Sequence, residues 1–220
     1  MPSLTVENYV KAIFLIAGGK RHGRVATGEL AQSLGVSPGT VTGMLKTLSE
    51  AELATYTPYE GVSLSESGRR LALEVVRRHR LLELFLVQTL RMPWDEVHEE
   101  AEHLEHAVSS RLVDRIEEYL GFPTVDPHGD PIPRADGSLE EPVGTSLASV
   151  PRGADFRVTR VVDQDPSFLR YLTECGLALG AEGTVVENRA EAGALVFSIN
   201  DRVTALGTDA AEKVRVVVRH

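Results

Sequence analysis

The sequence predicts a multidomain α+β protein: a helical front carrying one β-hairpin, a second all-α block, and a small β-barrel at the C-terminal side. Three observations carry that prediction. Apolar residues recur at helical spacing from Leu4 to about Leu120, broken by one strand-like stretch near residues 53–64. Residues 123–151 hold six prolines and little periodicity, the mark of a linker or irregular arm. From Phe156 onward β-branched residues dominate in short runs (RVTRVV, TVVEN, ALVFSI, RVTAL and VRVVV) divided by turns bearing Gly or Asp.

The elements follow in order. Val6, Tyr9, Ile13, Leu15 and Ile16 make residues 4–17 an amphipathic helix, and GGKRHGR after it is a loop. Thr27 is the expected N-cap of TGELAQSL, which Gly35 ends. Ser37 as N-cap with Pro38 in the first turn starts a third helix, about 38–52. Leu53, Tyr56 and Tyr59, a turn at Glu60-Gly61, then Val62 and Leu64 read as a hairpin. Ser65 caps a long helix reaching about Leu90, and a further helix is expected over 94–120, stopped by Gly121 and Pro123. One short helix, SFLRYLTECG, interrupts the strands. The expected domains are 1–72, 73–122, an arm over 123–151, and a barrel over 152–220.

Composition narrows the function. None of the 220 residues lie in an uncharged apolar stretch of the eighteen or so that a span needs, so no membrane partner is expected. The first residues lack a basic segment followed by an apolar block, so no secretory signal is expected either. A single cysteine, Cys175, excludes a disulfide framework and a Cys-rich zinc module, and points to the reducing cytoplasm. The net charge of −9 hides a split. Residues 1–80 carry ten Lys/Arg against seven Asp/Glu, a balance of +3; residues 91–125 carry three against nine, a balance of −6.

The basic front has the plan of a winged helix-turn-helix: two short helices joined through Gly35, then a hairpin. Val41, Met44, Leu45 and Leu48 occupy the core side of the third helix. Ser37, Gly39, Thr40, Thr42, Gly43 and Lys46 remain for double-stranded DNA. Small hydroxyl residues and glycines permit close backbone approach and phosphate bonds, with few bidentate base readers. Sequence preference would then lean on thymine methyls and DNA shape. The same topology also serves as a protein-interaction module.

The acidic block carries metal-ligand spacing. With His98 at zero on a helical wheel, Glu102 falls at about 40°, Glu105 at about −20° and His106 at about 80°, one narrow face. His103 and Glu100 point elsewhere. On the preceding helix His79 and Glu83 stand four residues apart and share a face. Two helices each offering imidazole and carboxylate is how metal sites arise between packed helices. A zincin motif fails, because the fifth residue counted from His98 is Glu102 rather than histidine. A di-iron bundle fails as well: Glu100-x-x-His103 is a single match on the wrong face.

With these segments in place, the chain resembles the diphtheria-toxin-repressor family of iron- and manganese-dependent repressors, including the manganese transport regulators. The resemblance runs through ENYVKAI, SPGTVTGML, LSESGRR, RRHRLLELFL, VHEEAEHLEHAVS and DPHGDPIP. It ends in a domain similar to the SH3-like fold of the iron-transport accessory protein. It implies a primary effector site of Asn8, Glu102, Glu105 and His106. It also implies an ancillary site of His79, Glu83 and His98, completed by Asp165 from the barrel. Phe168 stands where the family often has a further donor, and Lys11 where some manganese regulators place a second glutamate. Gly43 lacks the side chain some relatives use on bases, and Glu102 takes the position of a cysteine in iron regulators.

The resemblance therefore implies a homodimeric, metal-dependent DNA-binding transcriptional regulator, a repressor of metal-uptake genes, and not an enzyme. Carboxylate, amide and imidazole donors without sulfur suit Mn²⁺ first and Fe²⁺ second, though Co²⁺, Ni²⁺ or Zn²⁺ bind more tightly in vitro. Val97, Ala101, Leu104 and Val108 form an apolar stripe expected to be the dimer seam. The competing readings are an iron-dependent regulator of iron homeostasis, a metalloenzyme built on the same cluster, for which no nucleophile is evident, and a regulator sensing an organic ligand.

Overall fold

In a computed structural model the described residues are 3–18, 23–189, 191 and 193–219. Of the GGKRHGR loop, residues 19–22 lie outside the described ones. The chain divides into two compact units, residues 1–79 with 133–138, and residues 80–132 with 139–220.

In the first unit, α1 (Leu4–Ile16) opens on Ser3, whose hydroxyl accepts from the Val6 N–H, and buries Tyr9, Val10, Ile13 and Phe14. The second helix, α2 (Thr27–Leu34), is capped one residue earlier than expected, at Ala26. The reason is local: the Glu29 carboxylate accepts from the Ala26 N–H at 3.0 Å, so no hydroxyl is needed there. Gly35 ends α2 in the left-handed region, φ 64°. The third helix, α3 (Pro38–Glu50), starts on Ser37 as expected and buries Val41, Leu45 and Leu48, with Met44 half-buried.

The wing pairs β1 (Ala54–Thr57) with β2 (Gly61–Leu64), antiparallel. Val25 joins β2 through reciprocal bonds with Val62 at 2.8 and 2.9 Å. Gly61 sits at φ 100°, and a Cβ there would run into the Val25 carbonyl, so the wing requires glycine. The long helix α4 (Glu66–Leu90) starts where the Ser65 hydroxyl accepts from the Gly68 N–H; its residues through His79 belong to the first unit and the rest to the second.

The second unit corrects the expected helix over 94–120. It is two helices, α5 (Val97–Leu104) and α6 (Ser110–Tyr119). Ser109 makes the break: its extended backbone and its hydroxyl, accepting from Leu112 N–H at 3.3 Å, start a new helix. Pro93 and Trp94 precede α5 rather than opening it. The expected seam stripe is also divided. Val97 is fully buried within the chain, and Ala101 packs with Leu81, Leu82, Val113, Ile116 and Ile132. The apolar side chains left outward are Leu104, Leu112, Tyr119 and Phe122, the last two 69% and 66% exposed.

The barrel sheet has six antiparallel strands: β3 (Thr145–Ser146), β4 (Asp155–Val161), β5 (Glu182–Arg189), β6 (Ala194–Ile199), β7 (Arg202–Gly207) and β8 (Val214–Arg219). Their order is β3-β8-β4-β5-β6-β7. The helix α7 (Pro166–Glu174) matches the one expected; α8 (Thr208–Glu212) and β3 had no sequence signal strong enough to read. The β3 strand and the turn after it lie inside the segment read as an arm, and Leu147 and Val150 there are buried in the barrel core with Phe156, Leu172, Phe197 and Val216. Cys175 is buried in that core as well, where burial raises its thiol pKa. Among the described residues no helix is long and apolar enough to cross a membrane.

Candidate metal centres and DNA-reading surface

The residues expected to read DNA lie on α3. Ser37, Gly39, Thr40, Gly43 and Lys46 are exposed and Thr42 is half-buried. Some hydroxyls already serve the helix: Ser37 Oγ accepts from Thr40 N–H at 3.1 Å, and Thr42 donates to the Pro38 carbonyl at 2.9 Å. Nothing lies within 4 Å of where a Gly43 Cβ would be, so the glycine opens that surface to a close partner rather than relieving a clash. Lys46 is the one charged residue of the expected set.

Of the expected primary donors, Glu105 and His106 come together at the end of α5. Glu105 is the C-cap, still in right-handed helical geometry, so its side chain keeps the angular progression of the wheel. It is 0% exposed, and its Oε1 lies 3.2 Å from His106 Nε2 in the turn that follows. Glu102 is half-buried, while His103 and Glu100 are exposed, as their wheel positions require. Asn8 stands on α1 in the first unit, and its Oδ1 is buried with no hydrogen-bond donor among the described residues. An amide oxygen shut away from water without a donor is costly, and a cation relieves that cost.

Of the expected ancillary donors, Glu83 and His98 come together in the second unit. His98 spans two carboxylates, its Nδ1 3.2 Å from Glu83 Oε1 and its Nε2 3.8 Å from Glu102 Oε1. The wheel had set Glu102 and His98 on one face without showing that Glu83 would meet the same ring. His79 accepts at Nδ1 from the Lys11 ammonium, 3.1 Å away and buried. Asp165 is exposed and caps α7, its Oδ1 accepting from Ser167 N–H at 2.9 Å and Phe168 N–H at 3.2 Å. Bonds from Ser167 and Phe168 hold its carboxyl below the usual range. It joins none of the groups of three donors lying within 4.8 Å of one another among the described residues.

A group that sequence reasoning missed does meet that test: Glu83, Asp126 and His128, all buried. The last two belong to DPHGDPIP, where the Asp126 carboxylate accepts from the backbone N–H of His128 at 2.8 Å and Asp130 at 2.9 Å, folding a tight turn. Gly129 completes it at φ 87°, pressed against the Thr159 carbonyl of β4 where a Cβ has no room. His128 Nε2 is 2.8 Å from the Trp94 carbonyl, which only accepts, so Nε2 carries the ring hydrogen. Its Nδ1 lone pair has no hydrogen-bond donor and lies 4.0 Å from Glu83 Oε2 and 4.0 Å from Asp126 Oδ1.

That arrangement fits a divalent cation. Donors held about 2.0–2.2 Å from one ion lie roughly 3–4 Å apart, and a ligating imidazole commonly donates its other N–H to a carbonyl. Burial, then the charges of Glu83 and Asp130, push the Asp126 carboxyl well above its ordinary range, with Arg80 opposing. Arg80 Nε lies 3.6 Å from Asp126 Oδ2, and Arg160 pairs with Asp130. The signal that could have found the group was Asp-x-His inside a turn of Pro and Gly; the proline content hid it, because such segments read as linkers.

Comparison with known proteins assigns each part of the chain. Residues 1–62 match the N-terminal DNA-binding domain of iron-dependent repressors, 65–134 their metal-binding and dimerisation domain, and 145–218 the FeoA domain. The iron-dependent repressor IdeR of Mycobacterium tuberculosis is 32% identical over 172 residues, covering 71% of this chain and 74% of that protein. The diphtheria toxin repressor of Corynebacterium efficiens is 28% identical over 223 residues, 96% of this chain and 94% of that one. A solved manganese-dependent transcriptional repressor in complex with manganese superimposes with a TM-score of 0.85 at 43% identity, covering 96% of this chain and 99% of that one. Matched in order from reading head to barrel, the chain belongs to the iron-dependent repressor family of metal-dependent, DNA-binding transcriptional regulators, whose members are not enzymes.

Proposed function

We propose that the chain is a homodimeric, Mn²⁺-responsive repressor of metal-uptake genes, with Fe²⁺ the second candidate ion, acting on double-stranded DNA in the cytoplasm. One observation carries the metal reading: the buried Nδ1 of His128 has no hydrogen-bond donor among the described residues and lies 4.0 Å from the buried carboxylates of Glu83 and Asp126, a nitrogen and oxygen donor set that a divalent cation satisfies. In this reading Glu102, Glu105 and His106 hold one ion, with Asn8 offered from α1. Glu83 and His98 hold a second, and the buried Asp126 and His128 supply the donors that complete it. Asp165, the donor expected from the barrel, would have to serve with the oxygen not engaged at the start of α7.

The donors are oxygen and nitrogen throughout, which suits Mn²⁺ or Fe²⁺ better than soft ions. The manganese complex of a 43% identical repressor supports manganese first. When bound, the ion supplies the positive charge that lets these carboxylates approach one another. The residues do the rest. Asn8 would offer its buried amide oxygen from α1 of the first unit. Leu104, Leu112, Tyr119 and Phe122 supply the seam between two copies. Two α3 helices about 34–36 Å apart would then meet successive major grooves. Metal favours that state only by binding it better. A tenfold gain in DNA affinity corresponds to about 1.4 kcal/mol, within the usual coupling range. A gel-shift titration at fixed salt tests the reading: affinity should rise with Mn²⁺ and fall with chelator, and equal affinity in both rejects it.

A further inference from the structure

The wing ends in a turn whose chemistry runs against its geometry. Residues 57–60 form a four-residue turn closed by the Glu60 N–H, which donates to the Thr57 carbonyl at 3.1 Å. Pro58 is second in it and Tyr59 third, with Tyr59 at φ 69°. Proline followed by a positive φ is the pattern of a type II turn, whose third position ordinarily takes glycine or asparagine. A bulky side chain is costly in the left-handed region, because its Cβ crowds the following carbonyl oxygen. No packing offsets that strain, since Tyr59 is fully exposed. Uncompensated strain in an exposed aromatic residue points to a use outside the fold.

We infer that Tyr59 is a DNA-contacting, specificity-determining residue: the wing carries its phenol to the minor-groove edge of the duplex, beside the groove that α3 enters. The inference rests on the DNA-binding half of the reading above and not on its metal. Three observations name duplex DNA as the partner. Tyr59 lies within residues 1–62, which match the DNA-binding domain of iron-dependent repressors. Its neighbouring strand β1 packs against α3 in the same unit, so the wing tip and the α3 residues are carried together. The charge of the tip is neutralised internally, because the Glu60 carboxylate, which would repel phosphate, is paired with Arg24. What is left to meet DNA is a phenol, with a flat ring for the sugars and one O–H donor. The minor groove offers acceptors at A·T pairs, adenine N3 and thymine O2, whereas a G·C pair adds an amino donor there. A lone hydroxyl donor therefore favours A·T pairs in the flank, a preference added to whatever α3 reads.

The test uses full-length protein and a duplex that it selects from a random-sequence pool in the presence of Mn²⁺. Tyr59→Gly should relax the turn. The thermal midpoint, and the exchange protection of the Val25 and Val62 N–H groups that bridge to the wing, should therefore hold or rise. DNA affinity at fixed salt should nevertheless fall about tenfold. The salt slope should stay unchanged, because a phenol neutralises no phosphate. Tyr59→Phe keeps the ring and loses the donor: it should bind more tightly than Tyr59→Gly, and a pool selected with it should lose the flanking A·T preference. A p-benzoylphenylalanine in place of Tyr59 should cross-link on irradiation to the flank of the selected duplex. Undiminished affinity in Tyr59→Gly, unchanged flanks in the Tyr59→Phe pool, or cross-links to a second chain instead of DNA would overturn the inference. So would a lowered midpoint in Tyr59→Gly, the mark of a structural role. Wild-type protein that binds the duplex equally with Mn²⁺ and with chelator would reject metal control alone, and the variants would still decide the role of Tyr59.

Discussion

His128 donates from Nε2 to the carbonyl of Trp94 and stacks on the Trp94 ring, centroids 5.7 Å apart at an interplanar angle of 21°. Trp94 is itself anchored, its indole N–H donating to Thr173 of α7 at 2.9 Å. The pair fixes the imidazole in one tautomer and one orientation, with the lone pair of Nδ1 directed at two carboxylates.

From this follows the first prediction. His128→Ala should remove one Mn²⁺ per chain, and Trp94→Ala, which loosens the ring but keeps the carbonyl, should weaken that ion by about 10–100-fold. Competition with a metallochromic indicator reads both. Full retention in His128→Ala would show that Glu83 and Asp126 are a proton-sharing pair rather than ligands.

The acid-rich helix makes a second prediction. Glu105→Ala or His106→Ala should abolish the gain in DNA affinity on adding Mn²⁺, while His103→Ala, exposed on the opposite side, should preserve it. For a tenfold gain the loss is about 1.4 kcal/mol of coupling. Isotherms at one salt concentration measure it, and equal loss in all three variants would contradict the helical-face argument.

On α3, Lys46→Ala should weaken binding roughly uniformly across DNA sequences and lower the salt slope by about one. Ser37→Ala should act through folding instead. Losing the cap on Thr40 N–H costs about 1 kcal/mol, visible as a lower thermal midpoint.

The outward apolar residues of α6 and the turn after it predict the dimer seam. Leu112→Glu or Phe122→Ser should shift the sedimentation coefficient toward the monomer at micromolar protein and lower DNA affinity with Mn²⁺ present. A dimer of unchanged stability would return the seam to α5.

A pH prediction concerns the barrel. The Lys213 ammonium and the Asp165 N–H hold the Asp163 carboxyl below its ordinary 3.8, and Asp163 in turn raises Lys213 above 10.5. A depressed carboxyl stabilises the fold above its unfolded pKa and loses that contribution as pH falls through the folded value. The raised amine stabilises below its unfolded pKa and loses it as pH rises through the folded one. Urea midpoints should therefore fall below pH 4 and again above pH 10.5, and Lys213→Met should flatten both limbs. The bridge is largely exposed, so the change is small.

The order of elements was legible because each is set by neighbours in sequence. Ser37-Pro38 starts α3 and Gly35 ends α2 through backbone bonds made within four residues, and alternation of β-branched residues marks the strands wherever they pair. The donors on α5 were legible for the same reason, since a helix converts spacing into direction. What sequence could not decide was everything that depends on a partner from far along the chain. Ala101 reads as a seam residue until Leu81 and Ile132 are seen to cover it. Asp126 and His128 read as linker until a proline-rich turn buries them against Glu83. Local hydrogen bonding and periodicity are encoded within a few residues, whereas burial and the identity of a polar group's partner exist only once distant segments pack together.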